Sequence, residues 1–461
     1  MGRARKTLLV PMSILTLFGL DKTFSHGVHP PEYKALTEHR PIRRLPFADE
    51  MIIPLSQHTG APARPIVREG QEVVRSEPIA EPGGFVSVPM HAPATGRITR
   101  ITLARDVRGG MSPAIFLQLY PGEGQEILYG APVDVDGMSN PEIVKAVQRT
   151  GVVGLGGAAF PTHVKLAVPE GKKIDTVIVN GCECEPYLTT DHRLMVEHPE
   201  DVYEGIRVVQ RAYQAARVLV GIENNKPDAV EAMRLAQPDG EPIEVESIET
   251  KYPQGAEKML IKSLLKREVP SGGLPMDVGA AVFNVATLAQ IGELLPMQRG
   301  LIERVITVTG PAVDRPGNYL VALGTPIRFI LEQCRYRGED ASVVILGGPM
   351  MGVTVPSLDI PITKGVTSIL VLDQAEVQKR NRTEYPCIRC GSCLDACPMH
   401  LNPSRLGQLA RKRDFDTMAN AFNLMDCFEC GSCSYVCPSN IPLVQRFRVA
   451  KSIIRERKAA S

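Results

Sequence analysis

No apolar run in these 461 residues is long enough to cross a bilayer. The stretch from Leu8 to Leu20 has thirteen residues, and a spanning helix needs roughly 20. It follows Arg3, Arg5 and Lys6, but Pro11 breaks it and no A-x-A-like site comes after, so a cleaved signal peptide is not expected. It reads as a tail that packs on a partner or a membrane surface. A charge excess is also missing. With 52 Lys and Arg against 51 Asp and Glu, bulk charge gives no argument for nucleic acid, and no nucleic-acid partner is expected. Tryptophan is absent, and Phe and Tyr number only 12 and 11. Scattered cysteines are lacking too. Eight of the eleven lie in two short stretches, which excludes a secreted disulfide framework and indicates a reducing compartment.

What is present is an ordinary globular composition, 44% hydrophobic and 22% charged, on a chain too long for one core. Three or more domains are expected. The 38 Pro and 40 Gly predict many turns, with β structure in the first two thirds.

The two cysteine stretches are CIRCGSCLDACP, 387–398, and CFECGSCSYVCP, 427–438. Each reads C-x2-C-x2-C-x3-C-P. Three thiolates at this spacing wrap one corner of an iron–sulfur cube, and the fourth, before Pro, turns to the other cube. The expected ligand sets are Cys387, Cys390, Cys393 and Cys437 for one [4Fe-4S] cluster, and Cys427, Cys430, Cys433 and Cys397 for the other. A zinc site is the alternative, but zinc takes two C-x2-C pairs rather than three close cysteines and a Cys-Pro. Gly391 and Gly431 hold equivalent places and let the backbone turn near the sulfurs. Between the blocks, Asn402 as cap and Pro403 as first residue start the first of two short helices. After Pro442 a helix puts Leu443, Phe447, Ala450 and Ile454 on one face. Arg446, Arg448, Lys451, Arg455, Arg457 and Lys458 lie around the rest, as a solvated cap or, alternatively, a partner-docking helix.

The middle of the chain alternates strands and helices. SNPEIVKAVQRTG, 139–151, predicts a helix capped by Asn140, with Pro141 first and Gly151 ending it. In VVGLGGAAFPTHVKL, Gly154, Gly156 and Gly157 form a loop whose amides can approach an anion, with Lys165 beyond it. A buried strand, IDTVIVN, ends in Asn180 and runs into GCECEP, where ligands bind in open α/β sheets. Further strands are expected at ARVLVGIE and EPIEVESIE, with helices at PDAVEAMRLA and GAEKMLIKSLLK. Without a second pair nearby, Cys182 and Cys184 read as buried or loop thiols rather than metal ligands.

GVVGLGGAAFPTHVKL and VNGCECEPYLTTDHRLM resemble the flavin-binding subunit of respiratory complex I. The chain as a whole, from FSHGVHPPEYK to the paired cysteine blocks, resembles the RnfC family of Rnf membrane electron-transport complexes. That resemblance implies non-covalent FMN held by Gly154, Gly156, Gly157, Lys165, Asn180 and Glu183. Tyr252 and Asn284 are weaker matches, in YPQGAEK and FNVAT. It implies NADH near Phe160, Glu185 and Glu257, with no catalytic residue beyond the cofactors. It further implies electron exchange between NADH/NAD, FMN and two [4Fe-4S] clusters. The partners would be integral and peripheral subunits of the complex and, indirectly, ferredoxin, at the cytoplasmic face of a bacterial inner membrane. The chain departs from the complex I pattern at Leu155, where Arg is usual, at Cys182-Glu183-Cys184 and at Ala256. Similar alternatives are a soluble cobalamin reductase and a cluster relay without nucleotide binding.

The expected architecture is multidomain α/β plus β. An N-terminal extension covers 1–45. A barrel-sandwich module, 46–125, is lipoyl-like, but the absence of lysine between Lys34 and Lys145 excludes a swinging arm. An α/β FMN/NADH domain covers 136–298, a β-grasp module 300–372 and an α-helical, ferredoxin-like two-cluster domain 378–461. Cys334 is expected in the β-grasp core.

Overall fold

The computed structural model describes residues 22–380 and 383–460. The apolar run from Leu8 to Leu20 lies outside the described residues. Helix Asn140–Thr150 begins where Glu142 reaches back to accept from both the amide and the hydroxyl of Ser139, at 2.8 and 2.6 Å. The capping residue is therefore Ser139, not Asn140, because Glu142 is spaced to close a box with Ser139. Gly151 ends the helix at φ 71°. Ile143, Ala146 and Val147 bury one face.

This helix packs on helices Thr162–Leu166, Pro199–Tyr213 and Val285–Leu294, which accompany a four-stranded parallel sheet ordered Ile243–Ile248, Arg217–Glu223, Thr176–Gly181, Ala280–Asn284. The inner strands are largely apolar because both faces are covered, whereas the edge strand Ile243–Ile248 alternates buried and exposed residues. Val177 and Val179 enter one core with helices Pro199–Tyr213 and Val285–Leu294. Ile178 enters the other, with Leu260 and Ile261 of helix Glu257–Leu265. Helices Pro199–Tyr213 and Val285–Leu294 cross so closely that a Cβ on Gly205 would stand 2.0 Å from the Leu288 carbonyl. Only glycine fits there.

Before this unit, residues 50–119 form two small antiparallel sheets around Met51, Ile53, Ile98, Ile115 and Leu117. After it, a six-stranded sheet is ordered Ile42–Arg44, Gly317–Ala322, Glu303–Thr309, Ser368–Asp373, Ala341–Leu346, Val353–Thr354. Helix Ile327–Gln333 packs against it, and Cys334 is buried in its core as expected.

The expected N-terminal extension ties these units together. Val28 bridges Tyr252, and Ile42–Arg44 joins the six-stranded sheet. Between them the buried ammonium of Lys34 donates to the carbonyls of Glu183, at 2.8 Å, Glu185, at 3.0 Å, and Leu188. This lysine fixes the backbone of the acidic loop after Asn180.

The C-terminal unit repeats itself. Gly391 and Gly431 both have φ 84° and open the short helices Ser392–Asp395 and Ser432–Tyr435. Helix Pro403–Arg411 is capped by Asn402, whose side chain accepts from Arg405 N at 3.0 Å. Helix Leu443–Ala460 buries Leu443, Phe447, Ala450 and Ile454. Lys451, expected on the solvated side, is instead buried. Its ammonium donates to the Cys427 carbonyl and pairs with Glu429 at 3.1 Å. The reason is that the second cysteine block folds back over this helix and offers acceptors there.

Candidate functional site: a sheet edge and two rings of thiols

Cys397, Cys427, Cys430 and Cys433 line one largely apolar hollow with Met399, Leu406 and Phe447. One thiol of the first block thus joins three of the second. In the other ring, Cys387, Cys390 and Cys437 lie near enough to Cys393 to hold its thiol up, at about 11, although burial is the larger cause. Among the described residues no three His, Cys, Asp or Glu close on a point as they would around a single ion. The wider ring around a hollow suits a cube of iron and sulfide, with backbone and hydroxyl donors facing the sulfurs. Ser392 and Ser432 hydroxyls stand 3.5 and 3.4 Å from the sulfurs of Cys390 and Cys430.

The parallel sheet brings most of the other site residues to its C-terminal edge. Asn180 and Asn284 are register partners on adjacent strands. Asn284 caps helix Val285–Leu294, accepting from Ala286 N at 3.0 Å, and donates to Asp191 at 2.6 Å. Glu183 accepts from the amides of Asp191 and His192 at 3.0 and 3.3 Å, capping the next helix. Burial, with the Glu183 charge beside it, pushes the Asp191 carboxyl up to about 7. Asn180 donates to the Gly255 carbonyl at 2.8 Å. Two residues on, Glu257 pairs with Lys165 at 2.8 Å, and Lys165 also donates to the Val282 carbonyl at 2.6 Å.

The glycine loop lies against this edge. A Cβ on Gly156 would meet the Asn284 side chain at 3.3 Å, while Gly157 takes φ 127° beside open space. Gly154 and Phe160 close the loop, Gly154 N donating to Phe160 O at 2.8 Å. Gly156, Gly157 and Ala158 are exposed, and among the described residues their amides reach no protein acceptor. Free amides over a gap that a side chain would fill fit an anionic phosphate. Three units pin the loop. Thr59 of the barrel-sandwich unit donates to the carbonyls of Ala158 and Ala159, at 3.2 and 3.1 Å. Thr287 accepts from Leu155 N at 2.9 Å. Arg304 of the six-stranded sheet donates to the Leu155 carbonyl at 3.2 Å and to that of Lys364.

Two expected residues are engaged elsewhere. Glu185 accepts from the amides of Met350 and Met351 at 3.2 and 2.7 Å, and burial pushes its carboxyl up to about 7. The Tyr252 hydroxyl donates to the Cys430 carbonyl of the second cysteine block. Cys182 and Cys184 are thiols packed on backbone: Cys182 meets the Gly221 carbonyl and Cys184 the Gly255 amide, both at 3.4 Å. Lys34, Asp191 and Arg304 were missed by the sequence reading. The Thr-Thr-Asp run opening helix Thr190–Glu197 is the local signal that could have found Asp191.

Residues 147–293 match the Nuo51 FMN-binding domain, 22–119 the RnfC barrel sandwich hybrid domain, 305–354 the SLBB domain and 386–441 the 4Fe-4S dicluster domain. The chain is 44% identical over 434 residues to the C subunit of the proton-translocating ferredoxin:NAD(+) oxidoreductase complex of Clostridium ljungdahlii, covering 94% of each. It is 42% identical over 443 residues to the Na(+)-translocating counterpart of Acetobacterium woodii, covering 95% of this chain and 98% of that one. A solved NAD+-reducing [NiFe]-hydrogenase shares the fold at TM-score 0.50 and 19% identity, over 68% of this chain and 63% of that one. Fold, thiol rings and matched domains together define an electron-transfer flavoprotein with FMN and two [4Fe-4S] clusters. The chain belongs to the RnfC family, whose members are components of ion-translocating oxidoreductase complexes. Among its described residues no helix is long and apolar enough to cross a membrane.

Proposed function

We propose that the chain exchanges electrons with NADH/NAD at the sheet edge and passes them through the two thiol rings to or from partner subunits of an Rnf complex. The observation that carries this reading is the contact between the unit that bears the sheet edge and the unit that bears the thiol rings: Tyr252, three residues before Gly255, hydrogen-bonds the Cys430 backbone. FMN, when bound, accepts a hydride and releases single electrons, and the cubes carry those one at a time.

The chain's residues divide the work. The amides at Gly156 and Gly157, with Gly154 closing the turn, would hold the phosphate, and Lys165, paired with Glu257, would line the site beyond them. Asn180, Glu183 and Asn284 keep the rim polar and fixed, with Asp191 between the last two. Phe160 and Glu257 border the entrance for the nicotinamide nucleotide. Glu185 and Tyr252 act by holding neighbouring units against the site. Cys387, Cys390, Cys393 and Cys437 ligate one cube, and Cys427, Cys430, Cys433 and Cys397 the other. The units fall at 46–125, 136–298, 300–372 and 378–461, and the segment before 46 fastens them.

The chain works on the cytoplasmic face of the membrane, held there by integral and peripheral partner subunits, and ferredoxin exchanges electrons with the assembled complex. Two measurements test this. Purified protein should reduce an artificial one-electron acceptor with NADH, and removal of residues 1–20 should leave that rate intact while weakening co-sedimentation with partner-containing membranes. Absence of NADH-dependent reduction in flavin-replete protein would overturn the proposed reaction.

A further inference from the structure

Phe85, in the PGGFVS turn of the barrel-sandwich unit, is 61% exposed. A single exposed Phe is ordinary on a protein surface. The backbone around this one, however, is fixed at four points. Gly83 N donates to the Ser87 hydroxyl at 2.9 Å, and the Ser87 carbonyl accepts from Gln148 at 3.2 Å. Ala61 N donates to the Val86 carbonyl at 3.0 Å. Nε2 of His163 stands 2.8 Å from the Phe85 carbonyl. Burial holds the His163 pKa down, and among the described residues its buried Nδ1 has no partner, so the imidazole is neutral and Nε2 carries the proton. The same imidazole meets the Phe85 ring edge to face, with centroids 5.6 Å apart and planes at 85°. A ring held this way has little freedom left to lose, which lowers the cost of stacking a ligand on it.

Its place ties it to the proposed nucleotide site. Thr59, two residues before Ala61, donates to the Ala158 and Ala159 carbonyls, so the turn bearing Phe85 and the loop bearing the free amides share one anchor. His163 follows Phe160, which borders the proposed entrance, by three residues. A Cβ on Gly84 would meet nothing within 4 Å, so there is open space next to Phe85. The Arg64 side chain donates to the Gly83 carbonyl at 3.3 Å and has no other partner among the described residues. A cation with donors to spare therefore stands two residues from the ring. An open aromatic ring, free amides and a spare guanidinium on neighbouring segments match a planar base joined to phosphates.

We propose that Phe85 is the platform on which the adenine of NADH stacks, so that the barrel-sandwich unit selects the dinucleotide over its nicotinamide half. This rests on NADH/NAD as the substrate and adds a residue, from a different unit, that recognises its far end. Phe85 binds and takes no part in hydride transfer.

Three nucleotides separate the roles: NADH, reduced nicotinamide mononucleotide, which lacks the adenosine half, and ADP-ribose, which lacks the nicotinamide. The full-length protein loaded with FMN and clusters is used throughout, without oxygen. ADP-ribose binding, followed by calorimetry, should be about tenfold weaker in Phe85→Ala. The NADH concentration that half-saturates flavin bleaching should rise by the same factor, with the limiting rate unchanged. The corresponding value for the mononucleotide should stay within about twofold of wild type. Phe85→Tyr should bind all three as wild type does, and both variants should keep their FMN and iron. Unchanged ADP-ribose affinity in Phe85→Ala, or no ADP-ribose binding to wild type, would overturn the assignment. So would lost FMN, or equal weakening of NADH and the mononucleotide, since the substitution would then act by shifting the glycine loop. Weaker co-sedimentation with partner-containing membranes, at unchanged nucleotide affinity, would give the ring to a partner subunit instead. If neither NADH nor the mononucleotide bleaches the wild-type flavin, the proposed reaction fails, and ADP-ribose binding still decides the role of Phe85.

Discussion

The Tyr252 hydroxyl donates to the Cys430 carbonyl at 2.7 Å, joining the segment that contacts Asn180 to the backbone of a thiol ring. Phenylalanine would keep the buried ring and lose only this bond. Tyr252→Phe should therefore retain iron and flavin and lose about 1 kcal/mol of stability. The EPR spectrum of the Cys430 cluster should change while that of the other stays the same. A spectrum identical to wild type would show that the bond does not reach the cluster.

The exchange of fourth ligands between blocks gives opposite outcomes for two similar variants. Cys397→Ser should damage the cluster held by Cys427, Cys430 and Cys433, and Cys437→Ser the one held by Cys387, Cys390 and Cys393. EPR of the reduced variants distinguishes them. Loss of the Cys387 cluster alone in Cys397→Ser would contradict the hollow as the second cluster's seat.

Gly156 abuts Asn284 with room for a Cβ only at 3.3 Å. Gly156→Val would press on the residue that caps helix Val285–Leu294 and fill the gap below the free amides. The purified variant should contain at least about tenfold less FMN, corresponding to about 1.4 kcal/mol or more of lost binding, with iron unchanged. Normal FMN content would place the phosphate elsewhere.

Lys364 is buried and donates to the carbonyls of Pro89 and Gly151, at 2.9 and 2.8 Å, which fastens the start of the glycine loop to the barrel-sandwich unit. Burial pushes its pKa down from 10.5 to about 7. Between these values the unfolded chain keeps a proton that the folded one has released. Stability from this group therefore rises with pH from about 7 to about 10, by at most about 1.4 kcal/mol per pH unit, and is level below that window. In Lys364→Met the difference in melting temperature from wild type should change across pH 7–10. A pH-independent difference would mean the lysine stays charged throughout.

Legibility followed the range of the forces. The thiol rings could be read because eight cysteines at fixed spacing leave few geometries, and the strand Thr176–Gly181, which carries Asn180, because an unbroken apolar run fits only a sheet covered on both faces. Asn402 was readable as a cap because capping is local. Lys34, Arg304 and Lys364 were not, since each acts on backbone carbonyls more than fifty residues away, and no local pattern marks a lysine that will be buried. The same limit explains Tyr252 and Glu185. Their neighbours in sequence suggested the flavin and the nucleotide, but tertiary packing gave them Cys430 and the 350–351 backbone instead.

The most direct test of the central claim is an anaerobic NADH titration of the purified, cluster-loaded protein, followed by absorbance and EPR. Such protein should contain one FMN and about eight iron atoms per chain, four to each cube. NADH should bleach the flavin band, and the EPR signal of reduced iron–sulfur clusters should then appear, in wild type and in Cys437→Ser alike, because the Cys430 ring adjoins the flavin unit and is intact in both. A flavin that bleaches while neither cluster is reduced, although dithionite reduces both and a mediator poised at the NADH potential reduces at least one, would contradict electron passage from the sheet edge to the thiol rings.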